Sequence, residues 1–301
     1  MRRSSLAWIG LIGSGTAIAM LPVAVRAQDD AATPDTSLES MANQARVQMR
    51  ATAGVWWAAL SGESRFGTST SGGDLRVDTL LGLEDNEPTF AGNVTLYIDD
   101  HWVVLLDAFD FSTSSGLATA DSMLINGTTY PAGMTIASDF GVTSLSAMAG
   151  YDFFGNLYER FSGPSEGGRP VDIRLQIVGG VRGINVDHRL AVNAGPTVVF
   201  DEWSGTLNGG VRFSIGIGPE FPHKGRWDVG VSLNYGMGGS SNGDMTTYDI
   251  DFGIHYTVLD HFGVQFGYRQ IDIDLDASDA SQPYRWDGRL AGLFLGGELK
   301  F

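Results

Sequence analysis

Cysteine is absent from this 301-residue chain, which at once excludes a disulfide framework, a thiolate zinc site and an iron–sulfur cluster. Basic residues are scarce, with 19 Lys and Arg against 35 Asp and Glu and a net charge of −16. Gripping a phosphate backbone needs a basic patch, so no nucleic-acid partner is expected. Beyond the first thirty residues there is no long uninterrupted apolar run, and no later transmembrane helix is expected. The five histidines (His101, His188, His223, His255 and His261) lack metal-ligand spacing. No glycine-rich loop sits between a strand and a helix to cradle phosphate. Neither metal nor cofactor is therefore expected. Glycine, in contrast, is abundant: 41 residues, about 14% where about 7% is usual, without the Gly-X-Y period of collagen.

The first residues read as an address. Met1-Arg2-Arg3 is followed by an apolar run from Leu6 to Val25, then by Val25-Arg26-Ala27 at a position suited to cleavage. This is the layout of a secretory signal over residues 1–27. A retained anchor is the competing reading, and the polar segment that follows favours cleavage. Losing Arg2, Arg3 and Arg26 takes the net charge from −16 to −19. Residues 28–50 read as a leader, with Leu38, Met41, Ala45 and Met49 at roughly helical spacing.

From there the period changes to two. Tyr248, Ile250, Phe252, Ile254, Tyr256 and Val258 alternate with Asp249, Asp251, Gly253, His255 and Thr257. Trp227, Val229, Val231, Leu233 and Tyr235 alternate in the same way with Asp228, Gly230, Ser232, Asn234 and Gly236. Successive strand side chains point to opposite faces, so each segment has one greasy and one polar or small face. A soluble sandwich also shows such dyads. Three features favour a membrane crossing: segments of about 11 to 16 residues, where about 9–11 span a bilayer; aromatics at the ends of the apolar set; and a polar set rich in charge and glycine.

Ten strands are predicted, over 54–62, 89–99, 101–111, 138–153, 170–186, 206–218, 226–237, 246–258, 261–275 and 286–301. The runs Val55-Trp56-Trp57 and Val103-Val104-Leu105-Leu106 are ambiguous in phase, and a phase change near Arg269 suggests a bulge. Longer polar loops are expected at 63–88, 112–137, 187–205 and 276–285. Closure is required because lipid tolerates no open sheet edge. The fold expected over residues 51–301 is all-β: a closed antiparallel up-and-down transmembrane barrel of about ten strands, within a range of 8–12.

The last strand, Leu290 to Phe301, ends on an aromatic carboxyl terminus. With the export signal and the amphipathic strands, it resembles the Gram-negative outer-membrane β-barrels. That resemblance implies an outer-membrane location and lipid as partner. It also implies a signal at Leu299 and Phe301 read by the barrel-assembly machinery. It identifies no subfamily.

The enclosed face is expected to carry Asp172, Arg174, Arg182, Arg212, Asp228, Asp249, Asp251, His255, Glu298 and Lys300, either as ion pairs that plug the barrel or as a narrow path for a small polar solute. A structural or narrow-pore role is the leading reading, and surface adhesion or ligand binding the alternative. Catalysis is not expected. Its best candidates are Asp187-His188, placed in an outer loop, and Ser240-Ser241-Asn242-Gly243, which reads better as a turn. Asp74, Asp78, Glu84, Asp85 and Glu87 read as a solvated face, without the spacing of a calcium loop. Leu80 to Leu83 in the same loop is expected to fold back on the barrel mouth.

Overall fold

The computed structural model describes residues 47–83, 86–98, 101–154, 171–192, 197–219, 224–278 and 282–301. In chain order the strands are β1 (Val47–Phe66), β2 (Leu75–Arg76), β3 (Glu87–Ile98), β4 (Trp102–Ala118), β5 (Met123–Ile125), β6 (Thr128–Tyr130) and β7 (Thr135–Asp152). They continue with β8 (Val171–Val192), β9 (Thr197–Ile217), β10 (Trp227–Gly239), β11 (Asp244–Leu259), β12 (Phe262–Ala277) and β13 (Tyr284–Lys300). Ten of them form an antiparallel barrel in the order β1-β3-β4-β7-β8-β9-β10-β11-β12-β13. It closes through β13 on β1, in register from Arg50 opposite Lys300 to Phe66 opposite Tyr284. Beyond the last strand, Met49 and Phe301 exchange both backbone hydrogen bonds. Closure leaves no unpaired edge.

The strands run longer than the sequence suggests. β1 begins at Val47, so residues 47–50 belong to the barrel and not to the leader. The leader's Leu38, Met41 and Ala45, and the signal over 1–27, lie outside the described residues. β8 runs to Val192 and pairs with β9 from Thr197, so residues 187–192 and 197–205 of the expected loop are strand. Short strands β5 and β6 pair as a separate hairpin inside the expected 112–137 loop, and β2 pairs with β1.

The pattern near Arg269 is not a bulge. β12 pairs without a break from Phe262 to Ala277 against β13. A register shift occurs instead between Thr257 and Leu259. What changes at Arg269 is the chemistry of the two faces. Phe262, Val264, Phe266 and Tyr268 point outward and are exposed; the same face continues with Gln270, Asp272, Asp274 and Asp276. The inward face carries Gly263, Gln265, Gly267 and Arg269, then turns apolar with Ile271, Ile273, Leu275 and Ala277. β13 repeats this, with Leu299, Leu295 and Leu293 outside before Arg289, Asp287 and Arg285, while inside Glu298 gives way to Leu290 and Trp286.

The barrel therefore has two halves. The half bearing the described carboxyl terminus is greasy outside and polar inside. All of β10 lies in it, with Trp227, Val229, Val231, Leu233, Tyr235 and Met237 exposed, a run as long as a bilayer crossing needs. An exposed apolar band of this size, spread over consecutive strands, does not suit water. The distal half is inverted, with charge outside and a dry core within.

The ambiguous runs follow from the same design. Trp56 points into the barrel and Trp57 out; Val103 and Leu105 point in while Leu106 points out. Both are regular alternations in which each face is apolar for a different reason. Among the described residues no helix is long and apolar enough to cross a membrane.

Candidate functional site

The interior is layered. At the distal end a cap rests on the strands. After β1 the chain folds back so that Leu75, Val77, Leu81 and Leu83 are buried, with Leu80 packed against them. Met123 and Ile125 of the β5–β6 hairpin join the same core. The Leu80–Leu83 segment thus tucks against the barrel mouth. Ser115 Oγ donates to the Leu81 carbonyl, Gly73 N–H to that of Leu124 and Asn126 N–H to that of Phe66. Asp78 holds the fold-back by accepting from Thr79 N–H at 2.6 Å and Arg76 at 3.0 Å. Burial alone would raise its carboxyl, but these donors keep it below the usual range.

Beneath the cap the strands supply Phe111, Phe140, Ile184, Leu190, Ile273 and Trp286. His188 lies among them, fully buried, hydrogen-bonded through Nε2 to Ser138 Oγ at 3.3 Å and through Nδ1 to the Tyr284 hydroxyl at 3.0 Å. Asp187 is on the opposite face, paired with Arg189 outside. The acid–His pair of the sequence is thus split by the period of the strand, and it sits in β8 and not in a loop. Ser240 to Gly243 forms the turn between β10 and β11, with the Ser240 hydroxyl accepting from Asn242 N–H.

The middle layer is ionic. Arg182 reaches across the barrel to Asp249 and donates twice, at 2.9 and 2.5 Å, with both side chains 2% exposed. Arg269 donates to Asp107 at 3.1 and 2.6 Å and lies 3.5 Å from Asp251. Its guanidinium also stacks on Phe109 and Trp56, the floor of the dry core. Asp251 accepts from Ser232.

Nearer the terminal end a second network forms. Arg226 bridges Asp172 at 2.9 Å and Asp228 at 2.8 Å. Arg50 reaches Asp228 and Glu298. Glu298 also accepts from His255 at 2.7 Å and lies 2.7 Å from Lys300, whose ammonium donates to Thr257 Oγ1 at 2.6 Å. Arg174 pairs with Asp172 and covers the Tyr97 ring.

All ten residues expected on the enclosed face point inward on these strands. Nine are tied into the two networks. Arg212 is the exception: among the described residues no carboxylate lies within 4.0 Å of it, and its Nη1 is buried without a hydrogen-bond partner. Arg50, Asp107, Arg226 and Arg269 escaped the sequence reading. Arg50 stood in the supposed leader and Asp107 directly after a run of ambiguous phase; Arg226 opened the expected strand 226–237, one residue before β10 begins, and Arg269 marks the switch of faces. A chamber of about 170 Å³ lies between the networks, lined among others by Arg50, Asp107, Arg182, Arg212, Asp251 and Arg269.

At the terminal rim Leu299 and Phe301, expected as the assembly signal, are both exposed on the outer face.

A closed antiparallel barrel with an exposed apolar band and an enclosed polar lumen has the architecture of the Gram-negative outer-membrane β-barrels. No family model matches the chain and no curated protein matches its sequence. Solved structures similar to it include outer-membrane proteins. The outer membrane protease OmpT of Escherichia coli is 7% identical over 84% of this chain and 97% of its own, with a TM-score of 0.45. The attachment invasion locus protein Ail of Yersinia pestis is 14% identical over 85% and 99%, at 0.34. Neisserial surface protein A is 14% identical over 85% and 97%, at 0.30. At such scores these likenesses carry no argument of their own; the class rests on this chain's band, closure and lumen, and no subfamily is assigned.

Proposed function

We propose that this chain is an outer-membrane barrel of structural character: a lipid-anchored platform whose lumen is obstructed and whose capped end faces outward, without a catalytic role. The observation that carries this reading is the dry distal core. Leu83 of the cap and Phe111, Ile184 and Trp286 of β4, β8 and β13 are completely buried in one core, and packed protein interiors hold few voids as large as a water molecule. In this reading residues 1–27 direct export and are removed. The termini stay in the periplasm, and the assembly machinery engages Leu299 and Phe301. Lipid is the standing partner, and adhesion or ligand binding would fall to the cap.

The test is planar-bilayer recording of the folded protein, with outer-membrane fractionation and heat-modifiable gel mobility as controls. A silent membrane with correctly folded protein is expected. Regular conductance steps would overturn the obstructed reading, and recovery as a freely soluble periplasmic protein would overturn the location.

A second reading, a narrow path for a small polar solute, draws support from the ionic chamber. It predicts small steps whose ion selectivity changes when Arg182 or Asp249 is altered.

A further inference from the structure

We propose that the lumen chamber binds a small oxyanion, a carboxylate or inorganic phosphate, on the Arg212 guanidinium. This does not depend on whether the barrel conducts.

Arg212 stands apart from the other arginines of the lumen. Each of the other lumen guanidiniums, on Arg50, Arg174, Arg182, Arg226 and Arg269, lies within 4.0 Å of a carboxylate. Arg212 has no such partner among the described residues, although it is enclosed and its Nη1 is shielded from solvent. A guanidinium stays charged at any ordinary pH, and a buried charge is normally paired.

The neighbouring acids are already engaged. In the inward row across β9, β10 and β11, Arg212 is followed by Ser232 and then Asp251. One Asp251 oxygen accepts from Ser232 and the other faces Arg269. Asp249 is taken by both Arg182 nitrogens, and Asp228 is shared by Arg50 and Arg226.

The space in front of Arg212 suits an anion. A buried water needs about 10–15 Å³ of such volume, so the 170 Å³ chamber has room for phosphate or a short carboxylate with accompanying waters. Asn234 and Gln265 line the same chamber. Their amide oxygens are the shielded atoms, so a ligand in the chamber meets the N–H ends, which are donors. A guanidinium fork is the side chain best matched to an oxyanion. Chamber, uncompensated guanidinium and lining amide N–H groups together make a site, not a stray surface arginine.

The experiment uses the whole chain, folded from urea into lipid vesicles with the probe present so that access is not limiting. Binding of radiolabelled inorganic phosphate and of radiolabelled acetate is then measured separately after removal of free label. Stoichiometric retention of one or both is expected, falling at least tenfold in Arg212→Met and largely restored in Arg212→Lys. Retention of phosphate alone, or of acetate alone, assigns the class of oxyanion. Each variant is accepted only with wild-type heat-modifiable mobility, and Arg212→Gln serves if Arg212→Met does not fold. Failure of wild-type protein to retain either probe would overturn the proposal, as would undiminished retention in Arg212→Met or Arg212→Gln. A water-filled chamber gives the first of these outcomes.

Discussion

Replacing Arg182 with methionine removes the guanidinium that holds Asp249 and leaves a carboxylate 2% exposed in the middle of the barrel. The pair is bidentate, at 2.9 and 2.5 Å. Two charges withdrawn from water this far offset their dehydration only through each other, so removing one costs much more than the pair contributes in net terms. Breaking such a pair costs about 3–5 kcal/mol, two to three and a half powers of ten in the folding equilibrium at about 1.4 kcal/mol per power. Asp249→Leu should lose stability too. The double variant Arg182→Met with Asp249→Leu should regain most of the loss, because an apolar pair of similar volume is often neutral there. The assay is urea titration in lipid vesicles followed by tryptophan fluorescence, assembled into a double-mutant cycle with an expected coupling of at least about 2 kcal/mol. A single-variant loss below about 1 kcal/mol, the value of an exposed ion pair, would refute the view that this layer is dehydrated.

Leu295→Arg, in the middle of the exposed band, should lose about 2–4 kcal/mol, whereas Asp274→Ala, on the outward face beyond the band, should stay within about 0.5 kcal/mol; equal losses in the same titration would erase the boundary between the two halves. At the closing seam, an added side-chain carbon at Gly292 would collide with the backbone carbonyl of Trp57, so Gly292→Val should abolish heat-modifiable mobility, and a variant that still migrates as a folded barrel would contradict the close β1–β13 approach. His188→Ala opens a cavity and strands the Tyr284 hydroxyl and Ser138, a loss of about 2–4 kcal/mol in urea titration; a shift below about 0.5 kcal/mol would place this ring in water and not in the core.

Legibility from sequence tracked the solvent outside each strand. Where hydrocarbon meets the wall, as along Trp227 to Tyr235, alternation of greasy and polar residues gave strand, face and enclosed set together. Above that band the alternation continues with its meaning exchanged, because water now lies outside and packed side chains lie inside. Ile271, Ile273 and Leu275 therefore looked like a phase slip although the backbone never changes register. The same exchange hid the upper parts of β8 and β9. Their outward Asp187, Arg189 and Asp201 have the polarity of a loop, and their inward Leu190, Val192, Val198 and Phe200 carried the strand unnoticed. Partner choice in the lumen was not legible at all. Which carboxylate meets Arg182 or Arg269 is decided by chords across a closed cylinder, as in the 67-residue separation of Arg182 and Asp249, and no local spacing encodes such a chord. Arg212 shows the reverse: that no carboxylate among the described residues pairs with it becomes visible only when the other described charges have been placed.

The swap of polarity partway up each long strand also fixes how deep the cylinder floats. Sinking by one pleat would pull Asp272 and Arg289 into hydrocarbon, and rising by one would strip lipid from Tyr268 and Leu293. Vertical position is thus held by opposing penalties on many strands together, and a bilayer of altered thickness would have to bend to the protein, because the protein has no neutral rung on which to slide.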